Sequence, residues 1–249
     1  MVWGMSSLFG FGDFWPNGDF EYDRRTKESG WYTRLKEFYK KQTPEEQKRL
    51  FDYKGDIGNR AHFYSTFPSA KFLNERGAID EGVRLDELEP FEVPRSWDTI
   101  RTHQNLGSLI KLESKILAVD EPLKNIIERV EPEVHGFYEL PIRMPGGTEY
   151  PVRFFILRVG QYFDAFSRKD SWEGSVEQSE TAPHLLHLND TKKGISGLAF
   201  RKTVFGNAHL WRDRQVGFQD KLTCFSDELI AEINQAGLRL PKRYKMREV

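Results

Sequence analysis

The chain has 249 residues, a formal net charge of -1, 38% hydrophobic and 30% charged residues. With Phe 19, Tyr 9 and Trp 6 it is too aromatic to stay globally disordered. It has no basic excess with which to neutralise a phosphate backbone, which argues against general nucleic-acid binding. Its single cysteine, Cys224, can form no internal disulfide and lies in an apolar run, so a buried, inert thiol is expected.

The first 20 residues are apolar and aromatic but lack a basic leader, and Asp13 and Pro16 interrupt them, so they do not read as a signal peptide. No run approaches the ~20 apolar residues of a membrane span. The expectation is a soluble, cytoplasmic protein that needs no membrane.

Residues 1–29, rich in Gly and Phe and then charged, read as an extended arm with its aromatics tucked onto the body. Trp31–Lys41 reads as a helix with Trp31, Leu35, Phe38 and Tyr39 on one face. Thr43-Pro44-Glu45-Glu46 opens a second short helix to about Tyr53. Phe63–Leu73 is short and aromatic, Ser69–Glu75 is a candidate helical turn, and Asp80–Pro94 reads as irregular. A weak boundary near residue 95 divides a more helical N-terminal portion (1–95) from a second portion (96–249), the two forming either separate units or one body.

Lys115–Val119 reads as a buried strand, and Asp120-Glu121-Pro122 opens a helix that Glu131-Pro132 ends, because the residue before proline avoids the helical region. Gly136–Met144 reads as a strand and Pro145-Gly146-Gly147 as a turn. Tyr150–Val159, rich in β-branched and aromatic residues, is the strongest strand signal, continued by Gln161–Phe166. Ser167–Thr181 reads as a polar loop and Leu185–Leu188 as a short strand. Gly197–Val204 and Ala208–Trp211 read as strands around a Gly206-Asn207 turn.

Leu222–Leu240 is the best punctuated stretch. Ser226 or Asp227 stands at an N-cap, Leu229, Ile230 and Ile233 form an apolar face, and Gly237 suits a left-handed C-cap before a strand begun by Leu238 and Leu240. The Leu117–Glu121 stretch opens its helix in the same way, and aligning Asp120 with Asp227 superposes Leu123 on Ile230 and Ile126 on Ile233. The pattern as a whole predicts an α+β fold with a mixed or antiparallel sheet packed by a few helices.

Chemistry is sparsely spelled. His184 and His187 with Asp190 suggest a metal site only if they lie on a helix; on a strand His184 and His187 face opposite ways. No HExxH, CxxC, Gly-x-Ser-x-Gly elbow or phosphate loop occurs, so no cofactor and no catalytic set is assigned. His62, His103, His135 and His209 stand alone in sequence. Partner-binding candidates are the acidic loop with Asp170, Trp172, Glu173, Glu177 and Glu180, and the run Trp211, Arg212, Asp213, because Trp beside Arg is a common interface composition.

The strands Tyr150–Val159 and Gly197–Val204, followed by Ser226, Asp227, Glu228, Leu229, Gly237 and Leu238, resemble a bacterial immunity-protein family, the Imm-eleven type, over roughly residues 112–240. The family commonly reads Gly-Leu-x-Gly before the final strand, and Leu238-Arg239-Leu240-Pro241 here lacks the second glycine. The resemblance implies an immunity protein, not an enzyme, that binds a cognate toxin delivered by contact or by a polymorphic system such as type VI secretion. It carries over no active site and leaves self-association open. The rival readings are a metal-dependent enzyme using His184 and His187, and a scaffold for a non-toxin partner.

Overall fold

A computed structural model describes residues 1–5, 10–23, 25–45, 88–178, 186–216 and 222–249. Three apolar cores alternate with two sheets. The larger sheet has the strand order β11-β15-β16-β1-β17-β14, and the second is antiparallel, in the order β6-β7-β10-β8.

The larger sheet is built around β1 (Val2–Met5), which pairs antiparallel with β16 (Thr223–Ser226) and with β17 (Arg243–Glu248). β15 (Leu210–Asp213) continues it antiparallel, whereas β11 (Tyr162–Phe163) and β14 (Ala199–Phe200) join its two edges in parallel. The expected loose arm therefore begins as the middle strand of a sheet. Val2 turns to one core, with Trp211, Cys224 and Met246, and Trp3 and Met5 pack against another, with Leu210 and Phe225. Gly4 fits there because a Cβ would come within 2.7 Å of the Met246 sulfur and 2.9 Å of Ile195 Cγ2.

In the second sheet β7 (Leu117–Asp120) and β10 (Phe154–Arg158) are central, with β6 (Leu109–Lys111) and β8 (Gly136–Glu139) outside them. Their side chains alternate as a pleated strand requires. Ile110, Ala118 and Ile156 enter a core with Trp31, Leu35, Phe20 and Trp97, while Leu109, Val119 and Leu157 enter the core shared with the larger sheet.

That shared core holds the two capped helices, α2 (Glu121–Val130) and α5 (Asp227–Gln235). Asp120 accepts a hydrogen bond from Leu123 N–H at 2.9 Å, and Ser226 Oγ accepts one from Leu229 N–H at 3.0 Å. Each satisfies one of the free amides of a first helical turn. The caps correspond as Asp120 to Ser226, so the two units align one residue away from the expected register. Leu123 then matches Leu229, and Ile127 matches Ile233. All four are buried in this one core, and Arg129 pairs with Glu232 between the helices. The expected glycine stop is present: Gly237 has φ +69 and Leu238 N–H donates to Ile233 C=O at 3.1 Å, a Schellman closure.

Several expectations are corrected. The fold is α+β, but among the described residues the helices do not concentrate in the N-terminal portion. Among the described residues that portion holds α1 (Gly30–Lys40), while α2, α3 (Lys192–Ser196), α4 (Lys202–Phe205) and α5 come later. The N-terminal portion also holds β2 (Gly18–Phe20), which pairs with β5 (Trp97–Thr99), and a small hairpin of β3 (Tyr22–Asp23) and β4 (Glu28–Ser29). Most of the Thr43 helix, the Phe63–Leu73 and Ser69–Glu75 elements, the start of Asp80–Pro94 and the Tyr39 side chain lie outside the described residues.

Gly136–Met144 splits between β8 and β9 (Ile142–Arg143), which pairs with β5 in a different sheet. The Gly197–Val204 stretch gives two strand residues and then the short helix α4. Leu238 and Leu240 pack as loop residues, and the next strand starts at Arg243 in the basic tail.

Candidate functional site

The polar loop after Phe166 is structured where it is described. Ser171 Oγ donates to Ser167 C=O at 2.7 Å and accepts from Ala199 N–H at 2.9 Å, and Ser167 Oγ reaches Asp170 Oδ2 at 2.5 Å. These side chains close the turn at Arg168–Asp170. Trp172 N–H then donates to Gly197 C=O at 2.8 Å, and Ser175 N–H donates back to Trp172 C=O at 2.9 Å.

The Trp172 ring lies on Gly174, where an added Cβ would come within 2.6 Å of it, and Lys193 Nζ sits 4.1 Å from its centroid. Asn189 Nδ2 donates to Gly174 C=O at 2.9 Å. A large aromatic, 38% exposed, is thus seated on a glycine and fixed from both sides of its backbone. Glu173, next in sequence, and Glu177 are exposed, and Asp170 is half-buried. Glu177 stands opposite His187 where β12 (Val176–Gln178) pairs with β13 (Leu186–Leu188). Lys193 over Trp172 means that the face is amphoteric, not simply acidic. Glu180 and His184 lie outside the described residues.

The second candidate run is not a surface. Trp211, Arg212 and Asp213 are 0%, 3% and 2% exposed. Trp211 stacks on Phe205 at 5.0 Å and meets Phe200 edge-on at 5.2 Å. Asp213 accepts four backbone N–H bonds, from Ala165 and Phe166 on Oδ2 and from Gln215 and Val216 on Oδ1, between 2.9 and 3.2 Å. Burial pushes its carboxyl above the ordinary value against the pull of those donors. Charged residues are rarely buried unless paired, so composition alone placed this run outside. Tyr162, Ala165 and Phe166, which hold Arg212 and Asp213, lie 47 to 50 residues away in sequence and leave no local signal.

A buried polar hub ties the end of α2 to β15 of the larger sheet and was missed because its members are scattered. Glu131, the C-cap residue of α2, accepts from His209 N–H at 2.7 Å, Leu210 N–H at 2.9 Å and Gln161 Nε2 at 2.6 Å. Its Oε2 also lies 2.8 Å from His135 Nε2, and the His135 side chain is fully enclosed. Gly160 N–H donates to His135 Nδ1 at 3.1 Å, so the ring carries its proton on Nε2 and donates it to Glu131. Burial pushes the Glu131 carboxyl up, but the hydrogen bonds from His135, His209 and Gln161 outweigh it and hold the carboxyl below its ordinary value. The signal available in sequence was the i,i+4 spacing of Glu131 and His135. His209 Nδ1 lies 2.8 Å from the Ser226 cap, so the hub reaches the start of α5 as well.

Cys224 is buried, and burial raises its thiol well above the ordinary value, which suits the inert packing role. Among the described residues no cluster of three or more His, Cys, Asp and Glu side chains is arranged to hold a metal ion. No helix among them is long and apolar enough to cross a membrane.

A second exposed aromatic group sits on the N-terminal segment. Phe11, 53% exposed, packs on Trp15 at 4.9 Å, with Lys111 Nζ 4.6 Å above Trp15.

A layered α+β frame that presents a fixed aromatic on structured turns is suited to protein recognition. Comparison with known families gives the class more sharply: the model of the immunity protein family Imm11 matches residues 41–245. The chain belongs to that family. The match covers α2, β10 and α5, and starts after β1, so the middle strand of the larger sheet comes from outside the matched span. No curated protein matches the sequence.

Proposed function

We propose that the protein confers immunity by binding a cognate toxin stoichiometrically, with the Trp172 face as an anchor of the contact. Family membership supports the immunity role. The observation that carries the choice of surface is the half-exposed Trp172 ring on Gly174, because a rigid aromatic loses little freedom on binding. Glu173 and Glu177, with Lys193, supply charges of both signs around it, which set partner choice and association rate. Asp170 holds the turn and contributes at the edge. Glu180 continues this sequence stretch and belongs to the same proposal. Blocking by occupation requires no catalytic group and no cofactor, and a toxin acting in the cytoplasm is the target that fits a cytoplasmic binder.

The test is co-expression in a sensitive host with the toxin-like product of the neighbouring reading frame. Wild-type protein is expected to restore growth, and Trp172→Ala to restore it poorly while remaining folded. Failure of the wild-type protein to protect, with the toxin shown to be active alone, sinks the immunity reading.

A further inference from the structure

Across the larger sheet, residues at one level face the layer occupied by α2 and α5. Arg212 is in register with Tyr162 of β11 and with Thr223 of β16, and Met5, next in register to Thr223, pairs with Arg243 of β17. Cross-strand partners point to the same face. One step along, Leu210 and Phe225 pack on the two helices, so the Arg212 rung borders that covered face.

Arg212 is 3% exposed. A guanidinium stays charged and offers five N–H donors. Here one is used: Nη1 donates to the Tyr162 hydroxyl at 3.2 Å. Its Nε has no hydrogen-bond partner, and neither has the buried Thr223 Oγ1 beside it. Arg243 donates Nη2 to Asn234 Oδ1 at 2.6 Å and its Nε is also without a partner. Among the described residues no carboxylate forms an ion pair with either arginine. Asp213 follows Arg212 directly, but successive strand residues face opposite sides and its two oxygens are taken by backbone amides.

An enclosed cation with a single neutral hydrogen bond is an arrangement that folding disfavours unless an anion supplies the missing partner. Oxyanions match the guanidinium fork and take a threonine hydroxyl as a further donor.

We propose that Arg212, Thr223 and Tyr162 form a buried site for a small oxyanion of the phosphate or sulfate type, with Arg243 adding positive charge on the same rung. The enclosure of Arg212 favours a free ion over a side chain reaching in from a partner protein. The bound anion completes the charge balance of the sheet. The site is independent of toxin binding, so neither proposal falls with the other.

The probe is inorganic phosphate, added at constant ionic strength against sodium chloride, with unfolding temperature and calorimetric titration as readouts. Wild-type protein is expected to bind phosphate saturably and to unfold at a higher temperature with it than with chloride. Arg212→Met is expected to lose both effects and, without phosphate, to be at least as stable as wild type. If Arg212→Met does not fold, Thr223→Val decides. It keeps the arginine, removes one hydrogen bond to the anion and is expected to weaken phosphate binding about tenfold. No phosphate effect beyond chloride in wild type, or an equal effect in wild type and Thr223→Val, overturns the proposal.

Discussion

Glu131→Ala is expected to be among the most damaging single substitutions in this protein. The carboxylate is the shared acceptor of His209 N–H, Leu210 N–H, Gln161 Nε2 and His135 Nε2–H. Truncation leaves two backbone amides and an enclosed histidine facing a void. Each stranded buried donor costs about 1–3 kcal/mol, and breaking a buried charge-assisted set costs about 3–5 kcal/mol in all. For a chain of this size that corresponds to roughly 10 °C or more in unfolding temperature.

Glu131→Gln preserves shape but turns an amide N–H against donors, so it should recover only part of the loss. The pH dependence has a definite sign. The folded carboxyl lies below its unfolded value of about 4.3. Its contribution is therefore complete above that value and is lost as pH falls through it toward the folded one. Urea unfolding followed by tryptophan fluorescence, repeated between about pH 3 and pH 7, should show wild type losing more stability than Glu131→Ala on the acid side. A cost below about 1 kcal/mol at neutral pH, or identical acid limbs, would refute the hub as the junction between α2 and the larger sheet.

Four further substitutions test other parts of the frame. Ser226→Ala should cost about 1–2 kcal/mol by urea titration and Asp227→Ala less, because the hydroxyl accepts the Leu229 amide; the reverse order would show the cap misplaced. Gly4→Ala should destabilise by about 1–3 kcal/mol through collision with Met246 and Ile195, and a neutral result would remove β1 from the middle of the sheet. Asp19 is raised to about 6, first by burial and then by Glu113 beside it. Because that folded value exceeds the unfolded one, the ionised group costs stability above about pH 6, and the cost disappears as pH falls toward about 4. Asp19→Asn should therefore be relatively stabilising at pH about 7.5 and not at pH about 4, a contrast that thermal unfolding at the two pH values would reveal.

The parts legible in sequence were those encoded by neighbouring residues. The Asp120 and Ser226 caps, the Glu131-Pro132 stop, the Gly237 closure and the strand within Tyr150–Val159 all arise from interactions a few residues apart. What depends on distant partners was not legible. Val2–Met5 is four residues long and becomes a central strand only because β16 and β17 flank it, more than 200 residues later. β17 reads as a polar tail, since only Met246 in it is buried. Arg212 and Asp213 look like surface charges until Tyr162, Ala165 and Phe166 are placed beside them. Trp172 was legible as a loop aromatic, whereas its platform on Gly174 and its Lys193 neighbour come from the fold.

The central claim is immunity by direct binding, and the most direct measurement is calorimetric titration of the purified protein with the proposed cognate toxin domain. The account predicts a one-to-one complex that Trp172→Ala weakens about tenfold or more without loss of folding. An unchanged affinity in that variant would remove the contact from the Trp172 face. A wild-type protein that protects cells yet forms no complex with the toxin would contradict the account itself.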